Sequence, residues 1–216
     1  MGVYSSLVRF FLEGGFFMYP IMAVLAVGAA VAIERYIYLS VARTINRKLW
    51  DELVPVLRSG KYQQAMTMTA GSKSAIATIL GYGLARIKSA RRREDIEMAM
   101  EEGLMEMIPR LEKRTAYLAT FANIATLLGL LGTIIGLIQA FTAVAEAGPA
   151  EKAALLSSSI SVAMNTTAFG LVVAIPLLLI YAVLQSKTTQ IVDSLEMASV
   201  KFLNMVTERA KPESGV

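Results

Sequence analysis

The sequence predicts an all-α, polytopic membrane protein with three transmembrane helices, an outside N-terminus and an inside C-terminus. Long helices extend from the membrane into a helical cytoplasmic domain. Three observations predict this. Runs at 14–33, 115–145 and 153–186 carry no formal charge, and about 20 apolar residues suffice to cross a bilayer core of roughly 30 Å. The 216-residue chain is 55% hydrophobic, with mean hydropathy +0.54, above the usual share for a soluble domain. The basic residues are one-sided: 40–118 and the C-terminal tail hold nearly all of them, and on the other side lie only Arg9 and Lys152. Lysine and arginine accumulate on the cytoplasmic side, which sets the orientation. It also explains the net charge of +4 without nucleic acid, since a nucleic-acid face would interleave bases with stacking aromatics. Cysteine and histidine are absent, which removes disulfides, thiolate and imidazole chemistry and most zinc sites. No catalytic residue, metal site or cofactor is expected.

Each segment has its reason. Residues 1–13 read as an interfacial helix, with Tyr4–Leu12 amphipathic and Gly14-Gly15 ending it. Residues 14–39 form the first transmembrane helix. Its charge-poor start and the Glu34-Arg35 that closes it disfavour a cleaved signal peptide. Pro20 falls in the early turns, where a missing donor is best tolerated. Glu34-Arg35 with Tyr36 and Tyr38 reads as a snorkelling interfacial anchor.

Residues 40–115 form the cytoplasmic helical domain. Apolar residues recur at helical spacing: Leu49, Leu53, Val56 and Leu57, then Ile76, Ile79, Leu80 and Leu84, then Ile96, Met100, Leu104 and Met107. Ser59-Gly60 and Ala70-Gly71-Ser72 mark breaks. Arg91-Arg92-Arg93, followed by Glu94-Asp95, reads as a solvated helix start. Met98, Met100, Met105 and Met107 read as adaptable packing. The last helix, kinked at Pro109, is expected to run straight on into the second span.

The second span is placed at 116–145, a periplasmic turn at 146–155, the third span at 156–186 and a tail helix at 187–216. Ile191, Leu195, Ala198 and Phe202 give the tail an apolar side, and its last six residues should fray. The third run would be about 50 Å long as a helix, so it must tilt or project past the bilayer core.

Gly129, Gly132 and Gly136 form one stripe on the second span, with Thr133 beside it. Glycine costs roughly 1 kcal/mol in a soluble helix, but in a membrane small residues let helices approach closely. The third span carries Ser157, Ser158, Ser159, Ser161, Asn165, Thr166 and Thr167, with Gly170 and Pro176 beyond. These polar groups allow two readings. They are interhelical glue, worth about 0.6 kcal/mol each with a maximum near 1.7, or they line a path for an ion. Neither span contains a carboxylate or a base. A proton normally crosses a membrane on a titratable group, so a proton carrier would have to be supplied by another polypeptide.

Gly129-Leu130-Leu131-Gly132-Thr133-Ile134-Ile135-Gly136 and Thr167-Ala168-Phe169-Gly170-Leu171-Val172-Val173-Ala174-Ile175-Pro176 resemble the paired signatures of the MotA/TolQ/ExbB proton-channel family, closest to its ExbB/TolQ branch. Gly14-Gly15-Phe16-Phe17-Met18-Tyr19-Pro20, Glu34-Arg35 and Ser59-Gly60-Lys61-Tyr62 are similar to that branch as well. The resemblance implies a homopentameric ring in the bacterial inner membrane. The ring would surround an ExbD/TolR-like dimer whose membrane aspartate carries the ion, with a TonB-like or other envelope effector beyond. It implies that Thr133 and Thr167 line the ion route, that the glycines serve helix packing and that Pro176 bends the third helix. Where many members carry a glutamate five positions before the third-span threonine, this chain has Val162. Asn165 and Thr166 add oxygens to the route that would also suit sodium. The function expected is an ion-driven motor subunit coupling ion flow to mechanical work, not a bond-making enzyme. The rivals are a passive membrane scaffold and, more distantly, an autonomous transporter, for which these spans offer no charged substrate-binding group.

Overall fold

The computed structural model describes residues 10–11 and 14–210, with side chains as far as 208. Six helices follow the N-terminal turn: α1 (Met18–Arg58), α2 (Tyr62–Ala70), α3 (Ala75–Arg86), α4 (Arg93–Glu112), α5 (Thr115–Glu146) and α6 (Lys152–Ala210). No strand occurs among the described residues. α1, α5 and α6 each contain a stretch long and apolar enough to cross a membrane. The expected interfacial helix lies outside the described residues except for Phe10 and Phe11, and the fraying expected of the last six residues lies outside them too.

The described chain divides into two compact units, Met1–Glu34 with Arg114–Val183, and Arg35–Lys113 with Leu184–Val216. In the first, α1 and α6 run parallel. A Cβ on Gly28 would lie 2.9 Å from Leu177 Cδ2, and the earlier Gly14 meets the earlier Thr166. α5 runs antiparallel to α6, with Gly136 against Ala163 and Gly129 against Thr167 and Gly170. Most of this unit's large side chains remain exposed, among them Val27, Leu127, Ile138, Val172 and Leu179. Water would penalise such a surface and lipid does not.

In the second unit the apolar stripes become a core. Leu53, Leu57, Ile76, Ile79, Leu80, Leu84, Ile96, Met100 and Met107 are buried, as are Ile191, Leu195, Ala198 and Phe202 of α6. Ser74 caps α3 by accepting from the Ala77 N–H at 3.3 Å, and the turn before α2 uses Gly60 at φ +77°. At the start of α4, Asp95 Oδ2 accepts from the Arg91 and Arg92 N–H groups at 2.8 and 3.0 Å. These two bonds hold its carboxyl below the usual carboxylate range, Arg91 contributing most.

Three expectations need correction. α4 does not run on into the second span. It ends at Glu112 with the Lys113 N–H donating to the Pro109 carbonyl, and Arg114 turns the chain at φ +67°. No glycine marks this break, so composition gave no signal. Arg35 does not snorkel. It is 3% exposed, donates to the Leu111 carbonyl and lies 4.5 Å over the Tyr38 ring, because the end of α4 presents an unsatisfied carbonyl there. Of the four methionines, Met100 and Met107 are buried but Met98 and Met105 are 60% and 72% exposed. α6 is one unbroken helix of 59 residues, with Pro176 inside it.

Candidate functional site

The site is the α5/α6 contact and the N-terminal turn packed against it. Two helices come into backbone contact only if both lack side chains at the crossing, and Gly129 and Gly170 meet that condition. A Cβ on Gly170 would lie 2.7 Å from the Ala125 carbonyl oxygen and 3.1 Å from the Gly129 Cα. One on Gly129 would lie 3.2 Å from the Thr167 Cα. Gly132 has no room for a Cβ beside Thr166 and Phe17, and one on Gly136 would touch Ala163 Cβ at 3.0 Å. Gly129 and Gly132 are buried and Gly136 half-buried.

The close approach lets a short side chain reach across. Thr167 Oγ1 donates to the Gly129 carbonyl at 2.8 Å. That carbonyl belongs to an intact helix, so its second lone pair accepts the threonine without breaking the ladder.

The expected site residues are not all in one place. Thr133 Oγ1 donates at 2.6 Å to Leu130 O of its own helix, and no hydrogen bond joins it to Thr167. Thr166 is 2% exposed, and its Oγ1 lies 2.7 Å from the Gly14 carbonyl and 3.0 Å from the Val162 carbonyl. Sequence reasoning grouped it with Asn165 and Thr167, but 100° of helical rotation separates neighbours, and Thr166 faces the N-terminal turn. Asn165 is half-buried, and its side chain makes no hydrogen bond among the described residues. Val162 packs on Gly15, 3.3 Å from where a Cβ would lie; Gly15 holds φ +74°. Pro176 lies in α6, where its missing N–H frees the carbonyl one turn earlier.

Four of the remaining hydroxyls are satisfied within their own helix. Thr120, Thr126, Thr142 and Ser158 each donate to a carbonyl three or four residues earlier. This back-bonding is how a lone hydroxyl avoids an unmet donor in lipid. Within the described chain, only Thr166 and Thr167 tie elements of the site together through hydroxyls.

Sequence reasoning missed the anchoring of the N-terminal turn. Phe11 stacks edge-on against Tyr19 and Phe169, with ring centroids 5.6 and 5.9 Å away. The signal was present as Gly14-Gly15 with aromatics on both sides, but nothing in its spacing pointed to α6.

These features define a class: an all-helical, multi-pass membrane protein whose helices pack backbone to backbone around hydroxyls, with no carboxylate or base in the 115–145 and 153–186 runs. The chain belongs to the MotA/TolQ/ExbB proton channel family, whose model matches residues 71–197. A putative biopolymer transport protein ExbB homolog of Methanothermobacter thermautotrophicus is 26% identical over 195 residues, covering 90% of this chain and 68% of that protein. The putative biopolymer transport protein ExbB-like 1 of Synechocystis is 30% identical, covering 85% and 72%. The biopolymer transport protein ExbB of Salmonella typhimurium is 30% identical over 152 residues, covering 64% and 60%.

Proposed function

We propose that this chain is the ring-forming subunit of an ion-driven motor in the bacterial inner membrane. Five copies surround a dimer of a one-span, ExbD/TolR-like partner, and passage of protons along the ring interior is coupled to mechanical work on an envelope component, such as a TonB-like protein. One observation carries the reading: α5 and α6 join a hydroxyl-bearing contact to a complete lack of carboxylates and bases in their uncharged runs. A proton route built from such helices needs its titrating group from another chain. Thr133, Asn165 and Thr167 contribute oxygens along the route. Thr166, enclosed and bonded to the Gly14 carbonyl, enters it only if the N-terminal turn moves.

The scaffold reading draws support from the hydroxyls bonded to their own helices, Thr133 among them. Thr133→Val and Thr167→Val separate the two readings, with the chain co-produced with its partner. Retained assembly with lost ion-driven output supports the motor. Output unchanged in both variants refutes the ion route. Withdrawing sodium at constant proton-motive force tests the ion: output should persist, and loss would make sodium the driver.

A further inference from the structure

Between α4 and α6 in the second unit lies a groove of about 380 Å³. Met105 and Val200 flank it, 72% and 54% exposed. Glu97, Glu101 and Glu196 also line it. None of the three carboxylates forms an ion pair among the described residues. No residue of α1 lines the groove, although α1 touches α4 through Arg35 and Leu111 and α6 through Ser40 and Lys187. The groove therefore opens on the side away from α1.

The outer face of α1 carries the opposite charges. Arg43, Arg47 and Lys48 are exposed and without an ion pair among the described residues, with exposed Thr44 on the same patch. We infer that the α4/α6 groove receives the Arg43–Lys48 face of α1 from a neighbouring copy of this chain, head to tail around a ring; this rests on the ring reading above. Closed rotational assembly joins unlike surfaces only if they lie at the same height along the axis, and these do. From the Arg35–Leu111 tie, Glu101 is about 15 Å away along α4, and Arg43 and Arg47 about 12 and 18 Å along α1. From the Ser40–Lys187 tie, Glu196 is about 13 Å along α6, and Lys48 about 12 Å along α1. The signs then invert together. α1 continues to Asp51 and Glu52, while α6 continues to exposed Lys201. A slipped register would bring like charges together.

The protein has no cysteine, so introduced thiols report alone. Two differently tagged full-length copies, Thr44→Cys and Met105→Cys, are produced together in membranes and treated with a short bismaleimide. The expected result is a crosslink between unlike tags and none between like tags. Glu101→Lys should reduce it severalfold, and adding Arg47→Glu should restore it. The mass of the detergent-extracted assembly is read in parallel. A ring mass without the mixed crosslink overturns this interface and leaves the ring. Like-tag crosslinks, or a Met105→Cys thiol open to a bulky maleimide in the ring, also overturn it, the latter assigning the groove to a different protein. A monomer mass overturns the ring reading itself.

Discussion

Replacing Gly170 by alanine tests the backbone contact most directly, because two effects of opposite sign compete. Alanine is the better helix former by about 1 kcal/mol, so an unpacked Gly170 would gain stability. In the structure the new methyl would lie 2.7 Å from the Ala125 carbonyl oxygen and 3.1 Å from the Gly129 Cα. Both are backbone atoms of α5 and cannot rotate away, so the helices must separate. Overpacking costs about 1–3 kcal/mol, here at the upper end. Separation also stretches the Thr167–Gly129 bond of 2.8 Å, worth about 0.6 kcal/mol. The net expectation is a loss of about 2–3 kcal/mol, roughly 30- to 150-fold in the folding equilibrium. Dyes at Ile138→Cys and Met164→Cys, both exposed, report the α5–α6 distance by energy transfer as denaturing detergent is titrated into mixed micelles. Gly148→Ala is the control: nothing lies within 4 Å of its Cβ position, and a gain of about 0.4–1 kcal/mol is expected. A Gly170→Ala protein as stable as the parent would refute the packing argument.

Thr166→Val removes the bond to the Gly14 carbonyl and leaves a buried acceptor unmet, at about 1–3 kcal/mol. Faster hydrogen exchange at residues 14–21 should result, with Thr167→Ser leaving that segment unchanged; equal protection in Thr166→Val would contradict the anchor. Arg114→Gly relieves a left-handed residue at about 1–2 kcal/mol and loses only an exposed 3.8 Å pair to Glu34. Its thermal midpoint should rise, and a fall would show that Arg114 has a further role. Asp95, whose folded pKa is depressed below 3.8, contributes stability that is complete above the unfolded pKa and lost as pH falls through the lower folded one. Protection of the Arg91 and Arg92 amides should therefore fall in acid below about pH 4. In Asp95→Asn that acid-dependent step should be absent, and its persistence would reassign the cap.

How much was legible follows from which interactions are local. Uncharged length is a property of one segment, so the sequence alone determined the three membrane-capable helices. Periodicity is likewise local, and the stripes from Leu53 to Met107 and from Ile191 to Phe202 became core. Gly129 and Gly170 were readable as packing residues because a glycine inside a membrane helix has few other uses.

Azimuth and partner were not readable. Thr166 and Thr167 are adjacent and chemically alike, yet one binds the Gly14 carbonyl and the other the Gly129 carbonyl. Only the placement of α1 and α5 about α6 decides which is which. The same holds for Arg35, an interfacial residue by sequence that is buried because the end of α4 offers it a carbonyl, and for Arg114, whose left-handed turn no glycine announces. Spacing along a helix determines which residues share a face. What that face meets depends on elements distant in the chain, and only the tertiary structure supplies it.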